Sequence, residues 1–236
     1  MITVFPYEKL GNQDHGWLHA HYHFNFANYH DENKNGFPPL LVWNDDVIKP
    51  GTGFPMHSHR DMEIITCILE GAITHKDNFG NKGVTRKGEM QIMSAGTGIT
   101  HSEYNHEDIE THLFQIWLEP SELNITPRWE NIDIDLKYNN GIFPIASGEK
   151  KFKDSKILNI YQEATLYIAK GCVNDSFKYD LEFKRHIYFV VSKGSVRIND
   201  IQVDLQDGVR VIKEQEIEFI FQGDSELIIL DLPIIT

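Results

Sequence analysis

Two histidines spaced as they would be on a metal-binding strand are the first sign of chemistry in this sequence. His57 and His59 are separated by a single residue. On a β-strand, residues two apart project from the same face, so both imidazoles could reach one ion. The pair alone is weak evidence, because a polar strand face in solvent has the same spacing and short motifs often match by chance. Its meaning therefore depends on the residues around it.

A second histidine cluster competes with this pair. His19, His21 and His23 alternate along one stretch, so three imidazoles could share one strand face. No carboxylate and no turn-forming residue accompanies them. We therefore interpret them as a polar strand near the mouth of a pocket. Phosphate-binding glycine loops, nucleophile elbows and paired catalytic cysteines do not occur in the sequence, which leaves metal binding as its main chemistry.

Composition excludes several classes of partner. The 236 residues carry a net charge of -13, which repels nucleic-acid backbones, so we expect no direct binding to DNA or RNA. No apolar run is long enough to span a bilayer, and the first residues lack a basic and then apolar signal. We therefore expect a cytoplasmic protein that does not contact membranes. A monomer is the expected state, and a protein partner stays possible.

Short apolar or alternating runs predict the strands that would carry these side chains. In the first half the runs cover residues 39–43, 63–69, 90–93 and 112–118. Similar runs recur between residues 185 and 230. Many short strands at this spacing are typical of sandwiches and barrels. We predict an all-β protein with a first barrel in residues 1–130, and a connection and second barrel in residues 131–236.

The two predicted barrels resemble one another in sequence. Residues 64–71 align with residues 187–194, and residues 117–120 align with residues 230–233, which indicates a diverged internal duplication. Eleven of the twelve histidines lie at or before residue 112. The second half is also shorter where the first half carries residues 98–103. We therefore expect the polar site in the first barrel only.

The residues around His57 and His59 match a longer motif that is typical of a protein family. Gly51 precedes the pair and Glu63 follows it, which is close to the first half of the two-part cupin motif. The sequence resembles the pirin branch of the cupins in the segments 57–63, 69–71, 75–81 and 91–103. The resemblance covers the first 130 residues well, and the C-terminal half more in architecture than in motif.

The resemblance implies a bicupin, in which two jelly-roll-like barrels follow one another and the first holds one metal ion. The implied metal ligands are His57, His59, His101 and Glu103, and Glu63 would lie beside the ion or face the substrate. Imidazoles with one carboxylate suit a divalent transition metal. We expect iron(II), with zinc, copper, nickel, manganese and cobalt as alternatives. Three further histidines are expected at the surface or hydrogen-bonded beside the site: His75, His106 and His112.

Several pirin-like proteins cleave flavonols as quercetin 2,3-dioxygenases, and the resemblance implies this activity here. A flavonol has a 3-hydroxyl beside a 4-carbonyl, and coordination of these oxygens to a metal would lower the pKa of the hydroxyl. Glu103 or Glu63 would accept its proton as the general base. Dioxygen would then react at C2 and C3, with loss of carbon monoxide. Candidates for stacking on the planar substrate are Trp17, Phe24, Phe26, Met93 and Trp117.

Two other functions fit the same residues. The metal barrel could be a redox- or ligand-sensing module that binds transcription or metabolic partners, since an acidic surface suits proteins better than DNA. Alternatively, the physiological substrate could be another enolised or aromatic compound, with flavonol cleavage as a side activity. Fold and ligand set do not determine the reaction. Turnover of quercetin in air would separate the enzyme from the sensor.

Overall fold

Short strands make up most of the chain in the computed structural model, which describes residues 1–134 and 139–235. Strands β1 to β12 are Ile2–Phe5, Gly11–Asp14, Leu18–Tyr22, Leu40–Ile48, Gly53–His59, Glu63–Glu70, Ala72–Asp77, Lys82–Arg86, Glu89–Ser94, Ile99–Tyr104, Thr111–Leu118 and Arg128–Asp133. Strands β13 to β22 are Gly141–Ser147, Leu158–Asn159, Thr165–Gly171, Ser176–Asp180, Arg185–Lys193, Val196–Ile198, Ile201–Val203, Gly208–Val211, Glu216–Phe221 and Ser225–Pro233. The helices within these ranges are two single 3₁₀ turns, Tyr7–Lys9 and Lys150–Phe152.

The strands divide into two units, each made of a seven-stranded and a four-stranded sheet. One unit comprises Gly11–Leu136 and Ile160–Gln162. Its larger sheet has the order β12-β9-β6-β11-β4-β3-β2, and its smaller sheet has the order β5-β10-β7-β8. Buried Leu18 and Ile48 from the larger sheet pack with Ile73 from the smaller one. The core of this unit therefore lies between its two sheets.

The other unit comprises Met1–Leu10, Lys137–Asn159 and Glu163–Thr236. Its sheets have the orders β1-β20-β17-β22-β15-β13-β14 and β16-β21-β18-β19. The inward side chains come from both sheets and are apolar, with Phe189 facing Phe219 at a ring distance of 5.4 Å. Strand β21 is buried at every second position. Its alternate side chains therefore face the core, and the others face away from it.

The prediction of an all-β protein is confirmed. The partner of the first strand was not predicted: β1 pairs antiparallel with β20, so the first ten residues belong to the unit that is mainly C-terminal. Strand periodicity reports which face is buried but not which sheet edge a strand joins, and the boundary proposed near residue 130 stays a prediction. In the described ranges, no helix has the length and apolar character needed to cross a bilayer.

Candidate metal centre

Three neighbouring strands of the four-stranded sheet bring the predicted ligands together. Strand β10 lies between β5 and β7 and pairs antiparallel with both. His57 on β5 is directly opposite His101 on β10. The close approach of these strands requires Gly53, because a Cβ there would lie 2.2 Å from the carbonyl oxygen of Glu103. A larger residue at this position would push β5 away from β10.

His57, His59 and His101 form a compact group. Their potential ligand atoms lie within 4.8 Å of one another, and the ring centroids of His57 and His101 are 4.4 Å apart. The spacing of two residues on β5 therefore places both imidazoles on one face, as the sequence indicates. This arrangement could hold a single transition-metal ion.

The ring nitrogens of this group are suited to metal binding. Nδ1 of His57 donates to the carbonyl oxygen of Pro55 at 2.7 Å, which leaves its Nε2 with a free lone pair. Nε2 of His101 is buried and has no hydrogen-bond partner within residues 1–134 and 139–235. Burial, with the other histidines nearby, lowers the pKa of His101 to about 2, and burial and His57 lower that of His59 to about 4. A neutral imidazole with an unused lone pair, as His101 has, fits a bound metal.

Glu103 lies two residues after His101 on β10 and does not share the compact group with His57 and His59. It forms a second compact group with His101 and His75, in which the potential ligand atoms again lie within 4.8 Å. Its carboxylate accepts hydrogen bonds from the side-chain amides of Gln91 at 2.5 Å and Gln115 at 2.9 Å. Burial raises the pKa of Glu103 to about 7 despite these donors. The four predicted ligands are thus neighbours, but Glu103 is not in the compact group with His57 and His59.

His75 is part of the site, although the sequence indicated only a surface or neighbouring residue. Its side chain is fully buried, and its ring stacks on Trp129 with an interplanar angle of 8°. Nδ1 of His75 is 3.4 Å from Nδ1 of His101, and Nε2 is 3.2 Å from the carboxylate of Asp77. The two-residue spacing of His75 and Asp77, as in the ligand pairs, was the available signal.

Glu63 lies apart from the histidines. It begins β6 in the seven-stranded sheet. Thr66 on the same strand contacts the Gln91 amide beside Glu103, so its face is the one directed towards the site. Side chains alternate along a strand, which places Glu63 on the opposite face. Its carboxylate accepts from Ser94 at 2.9 Å and from the backbone N–H of Tyr161 at 3.2 Å. Burial raises the pKa of Glu63 to about 7. The structure therefore does not bring Glu63 to the predicted ligands.

The competing histidines lie on other parts of this unit. His19 and His21 both bond to the side-chain amide of Asn12, at 3.2 and 3.0 Å. Across the described part of the chain, these residues and His23 belong to no group with ligand atoms within 4.8 Å. Of the remaining histidines, His106 is exposed, as is typical of a surface residue.

Aromatic side chains surround the histidine group. Trp117 packs edge-on against His59 at 4.9 Å, and Phe26 packs edge-on against Trp117 at 5.5 Å. Phe54, which no motif in the sequence singles out, has its ring 6.2 Å from that of His57 and 5.1 Å from that of Trp17. The other predicted stacking residues, Phe24 and Met93, are almost completely buried. Two partly exposed rings therefore border the imidazoles, and two more pack behind them.

Comparison with known proteins adds family matches along most of the chain. The model of the family described as Pirin matches residues 4–118, and that described as Quercetinase C-terminal cupin domain matches residues 145–232. These matches confirm the predicted bicupin.

Full-length relatives agree with the family matches. A pirin-like protein of Caulobacter vibrioides is 43% identical over 232 residues, covering 98% of this chain and 99% of the relative. A protein of Escherichia coli named quercetin 2,3-dioxygenase is 40% identical over 234 residues, covering 99% of each. The crystal structure of the bacterial pirin YhhW from Escherichia coli, in complex with nickel(II), superposes over 100% of both chains with a TM-score of 0.93 and 40% identity.

Proposed function

This chain belongs to the pirin family, and on that premise we propose that it is a metal-dependent dioxygenase that cleaves flavonols such as quercetin. The observation that carries the proposal is the compact group of His57, His59 and His101, whose potential ligand atoms lie within 4.8 Å of one another. The relative named quercetin 2,3-dioxygenase supports the substrate class. The nickel(II) complex of YhhW supports a divalent metal as the cofactor.

The ion would be held by His57, His59, His101 and Glu103. Iron(II) is our first expectation, with nickel, zinc, copper, manganese and cobalt as alternatives that the same nitrogen and oxygen ligands accept. When bound, such an ion would act as a Lewis acid towards the substrate's oxygens and would allow reaction with dioxygen. The unpartnered, buried Nε2 of His101 supports this assignment, because a bound cation would satisfy it.

Glu103 would accept the proton of the flavonol 3-hydroxyl at a carboxylate oxygen. Gln91 and Gln115 hold the two oxygens in place and keep the side chain from rotating. We assign this role to Glu103 rather than Glu63, because Glu63 faces away from the histidines in the other sheet. One flavonol and one dioxygen would give one ring-opened ester and one carbon monoxide, which balances carbon and oxygen.

The aromatic border would bind the flat flavonol rings. Phe54 and Trp117 are partly exposed and lie next to His57 and His59, and Trp17 and Phe26 pack against Phe54 and Trp117. Stacking on such rings is favourable and requires few polar contacts. The border would also exclude water from the reacting oxygens, which strengthens the electrostatic interactions among them. Binding and orientation of the substrate would thus come from apolar side chains.

The test measures metal content and quercetin turnover on the same samples. Wild-type protein reconstituted with iron(II) or nickel(II) should consume quercetin in air and release carbon monoxide. His101→Ala should lose the metal, and Glu103→Gln should lower the turnover by about 10²- to 10⁴-fold, the usual loss on removing a general base. His19→Ala is the matched control, because it removes an exposed histidine bonded to Asn12 outside the group.

Two results would overturn the proposal. Loss of the metal in His19→Ala but not in His101→Ala would place the ion elsewhere. Quercetin that binds to the metal-loaded protein but is not consumed would instead support a redox- or ligand-sensing protein. Monomeric state, cytoplasmic location and the lack of nucleic-acid binding stay predictions, which size-exclusion chromatography, cell fractionation and DNA-binding assays would check.

A further inference from the structure

His75 and Asp77 form a buried pair that the proposed chemistry does not use. Both side chains are fully buried on β7, which pairs with β10 so that Asp77 is opposite His101 and His75 is opposite Glu103. The histidine ring is sandwiched between His101, with a ring distance of 5.3 Å, and Trp129, at 5.0 Å. A pair of buried titratable groups is costly unless its hydrogen bonds are well matched. The arrangement of those bonds determines where the protons lie.

Asp77 is an acceptor at both of its oxygens. Oδ1 accepts the backbone N–H groups of Phe79 at 2.9 Å and Asn81 at 3.0 Å. Oδ2 accepts the side-chain amide of Asn81 at 2.8 Å and is 3.2 Å from Nε2 of His75. An ionised carboxylate only accepts hydrogen bonds, so Nε2 of His75 must carry the hydrogen of that contact. The turn after β7 thus sets the tautomer of His75.

The ring nitrogen that carries the hydrogen in His75 determines which ring nitrogen carries it in His101. A neutral imidazole has one N–H, and in His75 it is at Nε2, so Nδ1 can only accept. Nδ1 of His101 lies 3.4 Å from this acceptor, so it is the donor of a long hydrogen bond. The hydrogen of His101 is then at Nδ1, and its lone pair is at Nε2. This is the buried nitrogen that has no partner in the described residues.

We infer that His75 and Asp77 are positioning residues, which hold His101 in the tautomer whose Nε2 lone pair is directed to the ion. The inference rests on the proposed function, in which His101 is a metal ligand. It also bears on the second group, His75, His101 and Glu103, because an Nδ1 of His101 that donates to His75 cannot bind an ion at the same time. The ligand atom that His101 keeps free is its Nε2, the atom available to an ion shared with His57 and His59.

The tautomers can be measured without any metal. Long-range ¹H–¹⁵N correlation spectra of chelator-treated protein at neutral pH distinguish protonated from unprotonated ring nitrogens, and His75→Leu and His101→Ala provide the assignments. We expect hydrogens at Nε2 of His75 and Nδ1 of His101. A hydrogen at Nε2 of His101, or a doubly protonated His75, would overturn the inference.

The metal affinity supplies a second, independent measurement. Nickel(II) competition with a chelator should show about 10- to 100-fold weaker binding for His75→Leu and Asp77→Asn, the usual loss when the partner of a ligating histidine is removed. His75→Gln should recover most of the affinity, because its amide oxygen can accept from Nδ1 of His101. Asn81→Ala is the matched control, since it removes a donor to the same Asp77 oxygen without touching His75.

The outcomes are distinct from those of the proposed function. Failure of the wild type to bind nickel(II) would overturn the metal site, whereas the spectra would still report the tautomers. Normal affinity in His75→Leu would overturn the positioning role. Equal, complete loss in His75→Leu and His75→Gln, with binding retained in His57→Ala, would make His75 itself a ligand and would also overturn it.

Discussion

The interiors of the two units differ although their strand ladders match. In the first unit Thr66 on β6 is opposite Gln115 on β11, and in the second Phe189 on β17 is opposite Ile229 on β22. Gly71 and Gly194 end the turns after β6 and β17 with φ angles of 73° and 70°. One framework therefore supports two kinds of interior, one polar and one apolar.

Residues at matched positions of the two sets of strands are polar in the first unit and apolar in the second. The polar residues Asn44, Asp46, Thr66, His75, Gln91, Glu103 and Gln115 correspond to Tyr167, Ala169, Phe189, Ile198, Val209, Phe219 and Ile229. All seven residues of the second set belong to one buried apolar cluster. The positions that are polar in the first unit are thus filled by apolar side chains in the second, which leaves the first unit with the interior able to hold polar chemistry.

The polar interior of the first unit carries an energetic cost. Oδ1 of Asp46 and Oδ1 of Asn44 are buried without a hydrogen-bond partner in the described residues. A buried polar atom left unpaired costs about 1–3 kcal/mol. By contrast, Tyr167 and Ala169 at the matched positions of the second unit lie within its apolar cluster. Changes that exchange the character of the two interiors should therefore alter stability in predictable directions.

The largest effect is expected for Phe219→Ala in the second unit. The side chain is fully buried against Phe189, so its removal should cost about 3–5 kcal/mol. Urea unfolding and hydrogen exchange of the strands around Phe219 would measure this loss. Phe183→Ala is the control, because its side chain is 91% exposed and should change stability by about 0.5 kcal/mol or less. Similar losses for both variants would contradict the assigned apolar core.

A smaller effect is expected when one polar residue is replaced by its apolar counterpart. Gln115→Ile installs the residue type of Ile229 and removes the donor to Glu103 at 2.9 Å. The buried carboxylate would lose a partner, which should cost about 1–3 kcal/mol in metal-free protein. The loss should be measured above about pH 7, where Glu103 ionises. Gln222→Ile on the exposed surface is the control, and an equal effect there would show that the interior bond does not matter.

Much of the fold and part of the site can be predicted from local sequence. Strand alternation is a local property, so the placement of His57 and His59 on one face follows from their spacing alone. The pairing of β1 with β20 could not be predicted, because edge partners depend on contacts between distant residues. The uneven distribution of histidines also predicted which unit has the polar interior, because eleven of the twelve lie at or before residue 112.

Glu63 shows why spacing alone misleads. It follows His59 by four residues, which suggests proximity, but Asp61 between them has a φ of 45° and the chain turns there. His59 ends β5 in one sheet and Glu63 begins β6 in the other, so their side chains do not share a face. His75 is the reverse case, because pairing of β7 with β10 brings it beside His101 from a distant part of the sequence.

The last effect appears only as a dependence on pH and is expected from Asp46, which occupies the position of Ala169. Burial, with Asp45 and Glu103 nearby, raises the pKa of Asp46 well above its usual range. The folded protein then holds a proton that the unfolded chain has released, so stability is full below about pH 4 and falls as the pH rises towards the raised pKa. Each unit of pKa difference corresponds to about 1.4 kcal/mol.

Asp46→Asn should remove this part of the pH dependence. The difference in unfolding free energy between the variant and the wild type, measured in metal-free protein, should shift in favour of the variant as the pH rises from about 4 to 7. Asp200→Asn, at an exposed position of the second unit, should follow the wild type at every pH. A constant difference between Asp46→Asn and the wild type would mean that water or a nearby donor satisfies the Asp46 carboxylate. In that case the polar interior would lower the free energy of unfolding by less than its unpaired oxygens indicate.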